Sequence, residues 1–309
     1  MITVFGSINV DLVCKVRKAP QPGETVLGSD YELIPGGKGA NQALAARRAG
    51  ATVRMIGAIG DDDIGKTALN ELEPAGVDLS TVARRQGTTG VAIITVDDSG
   101  ENTIVVSPGA NAAADASRIP ANSLSAKDTL LLQLEVPPEQ VFAAAKRAKA
   151  GGARVILSVA PFAPFEAEVL TDVDMVILNE HEARDFAAHF GLAAGSAEET
   201  AAALATRLGR AVTVTLGPEG AVTTGDAGVI RVPALKVTPV DTTGAGDTFA
   251  GVLAASLDEG RSLREAMAWA AIAGSLACTK HGAQPSFPTR AEIEAAAGAD
   301  RPTSRQRDA

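Results

Sequence analysis

From about Asp128 onward the chain alternates short, wholly apolar runs with segments of helical period, and this alternation leaves few architectures open. Leu130-Leu131-Leu132, Val155-Ile156-Leu157, Met175-Val176-Ile177-Leu178 and Val212-Thr213-Val214 are separated by helical stretches at Pro138–Lys149, Glu180–Phe190 and Ala197–Leu208. A strand apolar on both sides needs cover on both faces, and strands linked through helices pair in parallel. The pattern predicts an α/β body with a mostly parallel central sheet flanked by helices.

The first third departs from that rhythm. Val10–Lys18 runs into Glu24–Ile34, while Gly90–Val96 and Asn102–Val106 are joined by the turn cluster Asp97-Asp98-Ser99-Gly100, a hairpin with no helix between its strands. These segments, about residues 10–36 and 88–107, are expected to form a small antiparallel β lid inserted in a single domain spanning residues 1–309, which ends in a polar tail after Asp300. Within the hairpin Val91, Ile93 and Thr95 alternate with Ala92, Ile94 and Val96, so both faces are apolar. One face can cover a cleft. The other, on which Ile94 is placed, calls for a partner, and a second copy of the chain gives a homodimer through the lid.

Composition narrows the partners. Lys and Arg total 28 against 37 Asp and Glu, a formal charge of −9 that repels nucleic acid and acidic membranes. Aromatics are 3%, too sparse for a base-stacking platform. Two cysteines, Cys14 and Cys278, make no disulfide framework or zinc cluster and suit a reducing compartment. The start Met1-Ile2-Thr3-Val4-Phe5-Gly6 lacks a signal-peptide pattern, and the apolar window Ala266–Cys278 is shorter than the ~20 residues of a membrane span. A cytoplasmic protein with neither nucleic-acid nor membrane partner is expected.

Gly60-Asp61-Asp62-Asp63-Ile64-Gly65-Lys66-Thr67 fits the phosphate-binding pattern G-x-x-x-x-G-K-[ST]. Its three consecutive carboxylates argue against it: at ~4 Å and an effective dielectric of 20 each like-charge contact costs about 4 kcal/mol. The acids instead suit the start of a helix over Ile64–Leu72.

A better candidate is Asp241-Thr242-Thr243-Gly244-Ala245-Gly246-Asp247, which opens the helical run Ala250–Leu257. Small residues at a helix N-terminus let backbone N–H groups approach a phosphate, and Asp247 at the same end suits a base that takes a proton from an attacking hydroxyl. Gly36-Gly37-Lys38-Gly39-Ala40-Asn41 before the helix Gln42–Ala49 supplies close backbone approach, a cation and an amide, which suit a polyhydroxylated ligand. Asn9 and Asp11, two apart on an extended segment, share one side of it. Glu135 ends the apolar strand Leu130–Leu134, where open α/β sheets place ligands. His181, His189 and His281 form no metal-ligand spacing and are expected to be surface or structural.

In order along the chain, Gly6-Ser7-Ile8-Asn9-x-Asp11, Gly36 to Asn41, Asn179-Glu180-His181-Glu182, Thr215-Leu216-Gly217-x-x-Gly220 and Asp241 to Asp247 resemble the ribokinase (PfkB-type) family of carbohydrate kinases, over nearly the whole chain to about Pro288. The resemblance implies a ribokinase-like fold and ATP-dependent phosphorylation of a sugar, D-ribose at its 5-hydroxyl first among the substrates. It implies Asp247 as catalytic base, with Gly244, Ala245 and Gly246 as the anion hole. Sugar hydroxyls would be held by Asn9, Asp11, Gly37, Lys38, Asn41, Glu135 and Asp247. Asn179 and Glu182 would place Mg²⁺ and phosphate through water, and Asn179, Thr215, Gly217, Gly220 and Gly246 would line the ATP site. A K⁺ site would use Asp241, Thr243, Ala277, Lys280, Gly282 and Ser286. One departure is Ser158-Val159-Ala160-Pro161, where many relatives carry Asn-Pro-Ala-Pro beside the cleft. A nucleoside, deoxyribose or fructose kinase of the same family is therefore an alternative, and a non-catalytic sugar- or nucleotide-binding regulator a remote one.

Overall fold

The computed structural model of the chain describes residues 1–120, 123–193, 195–226 and 228–299. The first third holds β1 (Ile2–Phe5), β2 (Asn9–Val16), β3 (Gly28–Gly36), α1 (Lys38–Arg48), β4 (Val53–Ile56), β5 (Ala58–Gly60), α2 (Ile64–Thr67), α3 (Leu72–Ala75), β6 (Ala83–Arg85), β7 (Gly90–Val96) and β8 (Asn102–Ser107). The chain continues through β9 (Thr129–Leu132), α4 (Pro138–Ala150), β10 (Arg154–Ser158), β11 (Met175–Asn179), α5 (Glu180–His189), α6 (Ala197–Leu208) and β12 (Ala211–Thr215). It then forms β13 (Ala221–Gly225), β14 (Gly228–Val232), α7 (Ala245–Asp258), α8 (Leu263–Ala277) and α9 (Arg290–Ala299).

Eight strands form the central sheet in the order β14-β13-β12-β11-β10-β9-β1-β4, parallel from β4 to β12 and antiparallel only at the β13 and β14 edge. Every residue of β1 and β9 is buried, as a strand covered on both sides requires. Successive side chains go to opposite layers. Ile2, Val4, Leu131 and Ile156 pack with Leu44 of α1, Phe249 of α7 and Met267 of α8, whereas Phe5, Leu130, Leu132 and Val155 pack with Val141 of α4, Phe186 of α5 and Leu204 of α6. On the first layer α7 lies almost against the α1 backbone: a Cβ on Gly251 would stand 2.5 Å from the Gln42 carbonyl oxygen. That close approach sets the start of α7 beside the start of α1.

The small sheet has the order β3-β2-β7-β8. Its outer ladders, β2 with β3 and β7 with β8, are antiparallel as expected, while the middle pair β2 and β7 is parallel because both strands leave the body at the same end, Asn9 beside Gly90. The register corrects one placement. Asp11 pairs with Ala92 and Val13 with Ile94, so Ile94 shares the face of Asp11, and the opposite face carries Leu12, Leu33, Ile93 and Val105. The helix expected over Ile64–Leu72 is broken into α2 and α3. Between them, at residues 68–71, the Leu69, Asn70 and Leu72 N–H groups reach carbonyls three residues back, a tighter turn than the α-helix. Among the described residues no helix is long and apolar enough to cross a membrane.

Candidate active site

Helix α7 begins on Gly244, whose left-handed backbone (φ 76°) turns the chain into the helix; a Cβ there would lie 2.7 Å from the Phe287 ring. No side chain caps it. The Ala245 N–H reaches the Thr242 carbonyl at 3.2 Å, and the N–H groups of Gly246 and Asp247 meet no acceptor among the described residues. They form the open positive end of a 14-residue helix. Asp247, only 8% exposed, accepts hydrogen bonds from Asn41 Nδ2 to Oδ2 and from Gln42 Nε2 to Oδ1, each at 3.0 Å.

The residues expected to hold a sugar come together around this carboxylate. Ser7, between β1 and β2, donates from its hydroxyl to Glu135 (2.6 Å), which also accepts the Lys38 backbone N–H at 3.0 Å. Glu135 therefore ties the Gly36–Asn41 turn to the segment after β1. Asn111 Nδ2 donates to Asn9 Oδ1 at 2.6 Å and to the Ile8 carbonyl, so Asn9 is held from behind. Asp11 accepts no hydrogen bond from another described residue. Burial pushes its carboxyl up to about 7, with Glu135 and Asp247 pushing the same way and Lys38 opposing. Lys38 is held above the usual ammonium range, first by Asp247 against the cost of burial, then by Glu135, Glu182 and Asp11. An acid with idle acceptors beside a compensated cation is arranged for hydroxyl donors.

On the other side of Asp247 a cavity of about 180 Å³ is lined by Lys38, Ser158, Asn179, Glu182, Thr215, Gly244, Gly246 and Asp247. Asn179 and Glu182 form a capping box at the start of α5: each side chain accepts the other's backbone N–H at 2.8 Å. Burial raises the Glu182 carboxyl, against the Asn179 N–H and Lys38. Thr215 and Gly246 also border a larger cavity of about 390 Å³, lined further by Gly217, Gly220, Leu235, Phe249, Ala271 and Cys278, with Lys236 its one charged side chain among the described residues. Asp241 accepts from Thr243 N–H and hydroxyl and from Gly282 N–H, and these hydrogen bonds overcome burial to hold its carboxyl below the usual range. Lys280 turns to Glu292 (3.2 Å), so it and the buried Ala277 could serve a cation only through the main chain, whereas the Ser286 hydroxyl donates to the Ala283 carbonyl and keeps its oxygen lone pairs.

The phosphate-loop lookalike is closed by its own acid: Asp62 accepts from Gly65 N–H and from the backbone and hydroxyl of Thr89, while exposed Lys66 faces Asp63 at 3.7 Å. His181 lies beside Asp185 at the surface, and His189 meets the Phe165 carbonyl. Sequence reasoning missed Ser7, Gln42, Asn111, Gln133 and Gln284, which hold the site residues from behind. Their one signal is a polar residue inside or just after an apolar run, and that alone names no partner.

The model of the pfkB family carbohydrate kinases matches residues 1–290. The chain belongs to this family. A ribokinase of Lactococcus lactis is 37% identical over 297 residues, 95% of this chain and 96% of that protein. The crystal structure of a ribokinase from Thermotoga maritima superposes with a TM-score of 0.89 at 36% identity, covering 96% of this chain and 99% of that one. A ribokinase of Arabidopsis thaliana complexed with ribose and ATP gives 0.86 at 30% identity, covering 96% and 97%.

Proposed function

We propose that the chain transfers the γ-phosphoryl group of ATP to the 5-hydroxyl of D-ribose. The observation that carries this reading is the placement of Asp247: a buried carboxylate at the open N-terminus of α7, between hydroxyl-seeking Asp11 and the cavity that holds Lys38. Asp11 and Asn9, with Gly37, Lys38, Asn41 and Glu135 around them, hold the sugar. Asp247 accepts the proton of the attacking hydroxyl, and the N–H groups of the Gly244–Gly246 turn and the start of α7 face the charge that grows on the phosphoryl oxygens, joined by the Lys38 ammonium. ATP lies along the larger cavity past Thr215, Gly217 and Gly220, with Asn179 and Gly246 at its phosphate end.

Glu182, raised by burial and facing the phosphate-side cavity with Asn179, suits a hydrated divalent cation. Mg²⁺ bound there supplies charge to the phosphate chain. A K⁺ beside Asp241 and Thr243, reached by main-chain groups of Ala277, Lys280, Gly282 and Ser286, fits the strongly ionised Asp241. Leu33, Ile93 and Val105, exposed by 38%, 46% and 61% on the lid face away from Asp11, support a homodimer through that face. Light scattering tests it, with Ile93→Asp expected to give monomer. A cytoplasmic location accords with this chemistry.

ADP release measured with ribose, deoxyribose, fructose and adenosine tests the reaction. Turnover is expected with ribose. Brisk turnover with adenosine and none with ribose moves the chain to the nucleoside kinases, and sugar binding without any phosphorylated product makes it a binding protein.

A further inference from the structure

Behind Asp247 runs a buried chain of amides of which the reading above uses only Asn41, for the sugar. Gln133, just past β9, donates from Nε2 to Gln42 Oε1 at 2.6 Å, and Gln42 donates to Asp247. On the other side Gln284, in the short 3₁₀ turn Gln284–Ser286, donates from Nε2 to Asn41 Oδ1 at 3.1 Å, and Asn41 donates to Asp247. Gln42, Gln133 and Gln284 are wholly buried.

All four amides point their nitrogen toward the carboxylate. The two ends of an amide have nearly the same shape, so packing alone does not choose between them. A reversed Gln42 or Asn41 would set a carbonyl oxygen against a carboxylate oxygen and push the base out of place. The outer glutamines prevent that reversal, because each occupies the inner amide's oxygen with a donor. Their own oxygens, Gln133 Oε1 and Gln284 Oε1, accept nothing among the described residues. Orphaned acceptors at full burial oppose folding, so this arrangement is not the one stability alone would favour.

We propose that Gln133 and Gln284 are positioning residues for the base: they fix the direction of Gln42 and Asn41 and through them the placement of Asp247. The proposal rests on Asp247 being the base. Neutral donors fix the carboxylate without a salt bridge, and none is made by Asp247 among the described residues. A base misplaced by about 1 Å can cost on the order of 10²-fold in rate.

The test is steady-state kinetics on full-length Gln133→Met, Gln133→Glu and Gln284→Met, alone and combined with Asp247→Asn, with a melting temperature for each. Gln133→Met frees Gln42 and is expected to lower kcat about tenfold, with both KM values within about twofold. Gln133→Glu presents an acceptor to Gln42, reverses it, and is expected to lower kcat further. In the Asp247→Asn background neither change is expected to alter the residual kcat by more than about twofold, because the group they place has lost its function. If neither Gln133 variant accumulates as folded protein, Gln284→Met carries the same kcat expectation from a separate element, with a rise in the sugar KM as well because it also frees Asn41. Unchanged kcat in a folded variant, or the same fold loss with and without Asp247, overturns the proposal. Near-normal activity of Asp247→Asn itself would instead overturn the base assignment.

Discussion

The two sides of Asp247 are built on different principles. On the side proposed for the sugar, Asp11, Glu135, Lys38, Asn9 and Asn41 crowd into a charged enclosure braced by Ser7, Asn111 and the buried glutamines. On the nucleotide side, the cavity of about 390 Å³ is lined mainly by glycine, alanine, proline and aliphatic side chains. Directed polar groups reject a ligand that leaves them unpaired, whereas an apolar wall discriminates mostly by shape. One side is therefore built to be selective and the other to be permissive.

The largest effect expected is at the boundary. Asp247→Asn should lower kcat by about 10²–10⁴-fold while the KM for sugar stays within a few-fold, since the amide keeps the shape but takes no proton. On the selective side, Asp11→Asn should raise the sugar KM by about 10–100-fold with a smaller change in kcat; an unchanged KM would remove Asp11 from the sugar site.

Asp11 also gives a pH test. Its folded carboxyl titrates at about 7, above the unfolded value, so the native state binds the extra proton and wild-type stability falls as pH rises from about 4 to 7, then levels. Asp11→Asn removes that loss. The variant's stability advantage in denaturant titrations should be absent near pH 4, grow to about pH 7 and stay constant above it, reaching on the order of a few kcal/mol at most. A gap independent of pH would show that the enclosure does not strain Asp11. On the permissive side, exchanging adenine for guanine in the donor should change kcat/KM by less than about tenfold. The smallest effect is that of Lys66→Ala, which should leave kinase kinetics within about twofold because that lysine is exposed and lines neither cavity beside Asp247.

The permissive side and the body were the more legible in the sequence. Continuous apolar runs such as Leu130–Leu132 allow one kind of burial, and Gly-Ala-Gly suits the start of a helix, so strand, helix and the open N-terminus of α7 followed from local pattern. The β13 and β14 edge was not legible, because Ala221–Gly225 and Gly228–Val232 are short and lack a long apolar run; once both are strands, the two-residue connection allows only antiparallel pairing. The enclosure was legible in Asn9, Asp11, Lys38, Asn41 and Glu135, and not in the residues that brace it. Lys38 stands out between glycines, whereas Gln42, Gln133 and Gln284 lie 91 to 243 residues from partners that only tertiary packing brings near. Ile94 was misassigned because alternation gives two faces without saying which one looks inward; the pairing of Asp11 with Ala92 decides it.

The small sheet grows directly out of the sugar enclosure. Strand β2 starts at Asn9 and β3 ends at Gly36, one residue before the Gly37-Lys38 turn, so no slack joint separates sheet from ligand groups. Eight residues of strand at ~3.3 Å each make a lever arm of about 26 Å, and a rotation of about 5° at its root would carry its far end about 2 Å. In mechanical terms the sheet is a pointer fixed to the proposed sugar site: a probe attached at its tip would magnify small adjustments there, and a load applied at the tip would be felt at Asn9 and Lys38.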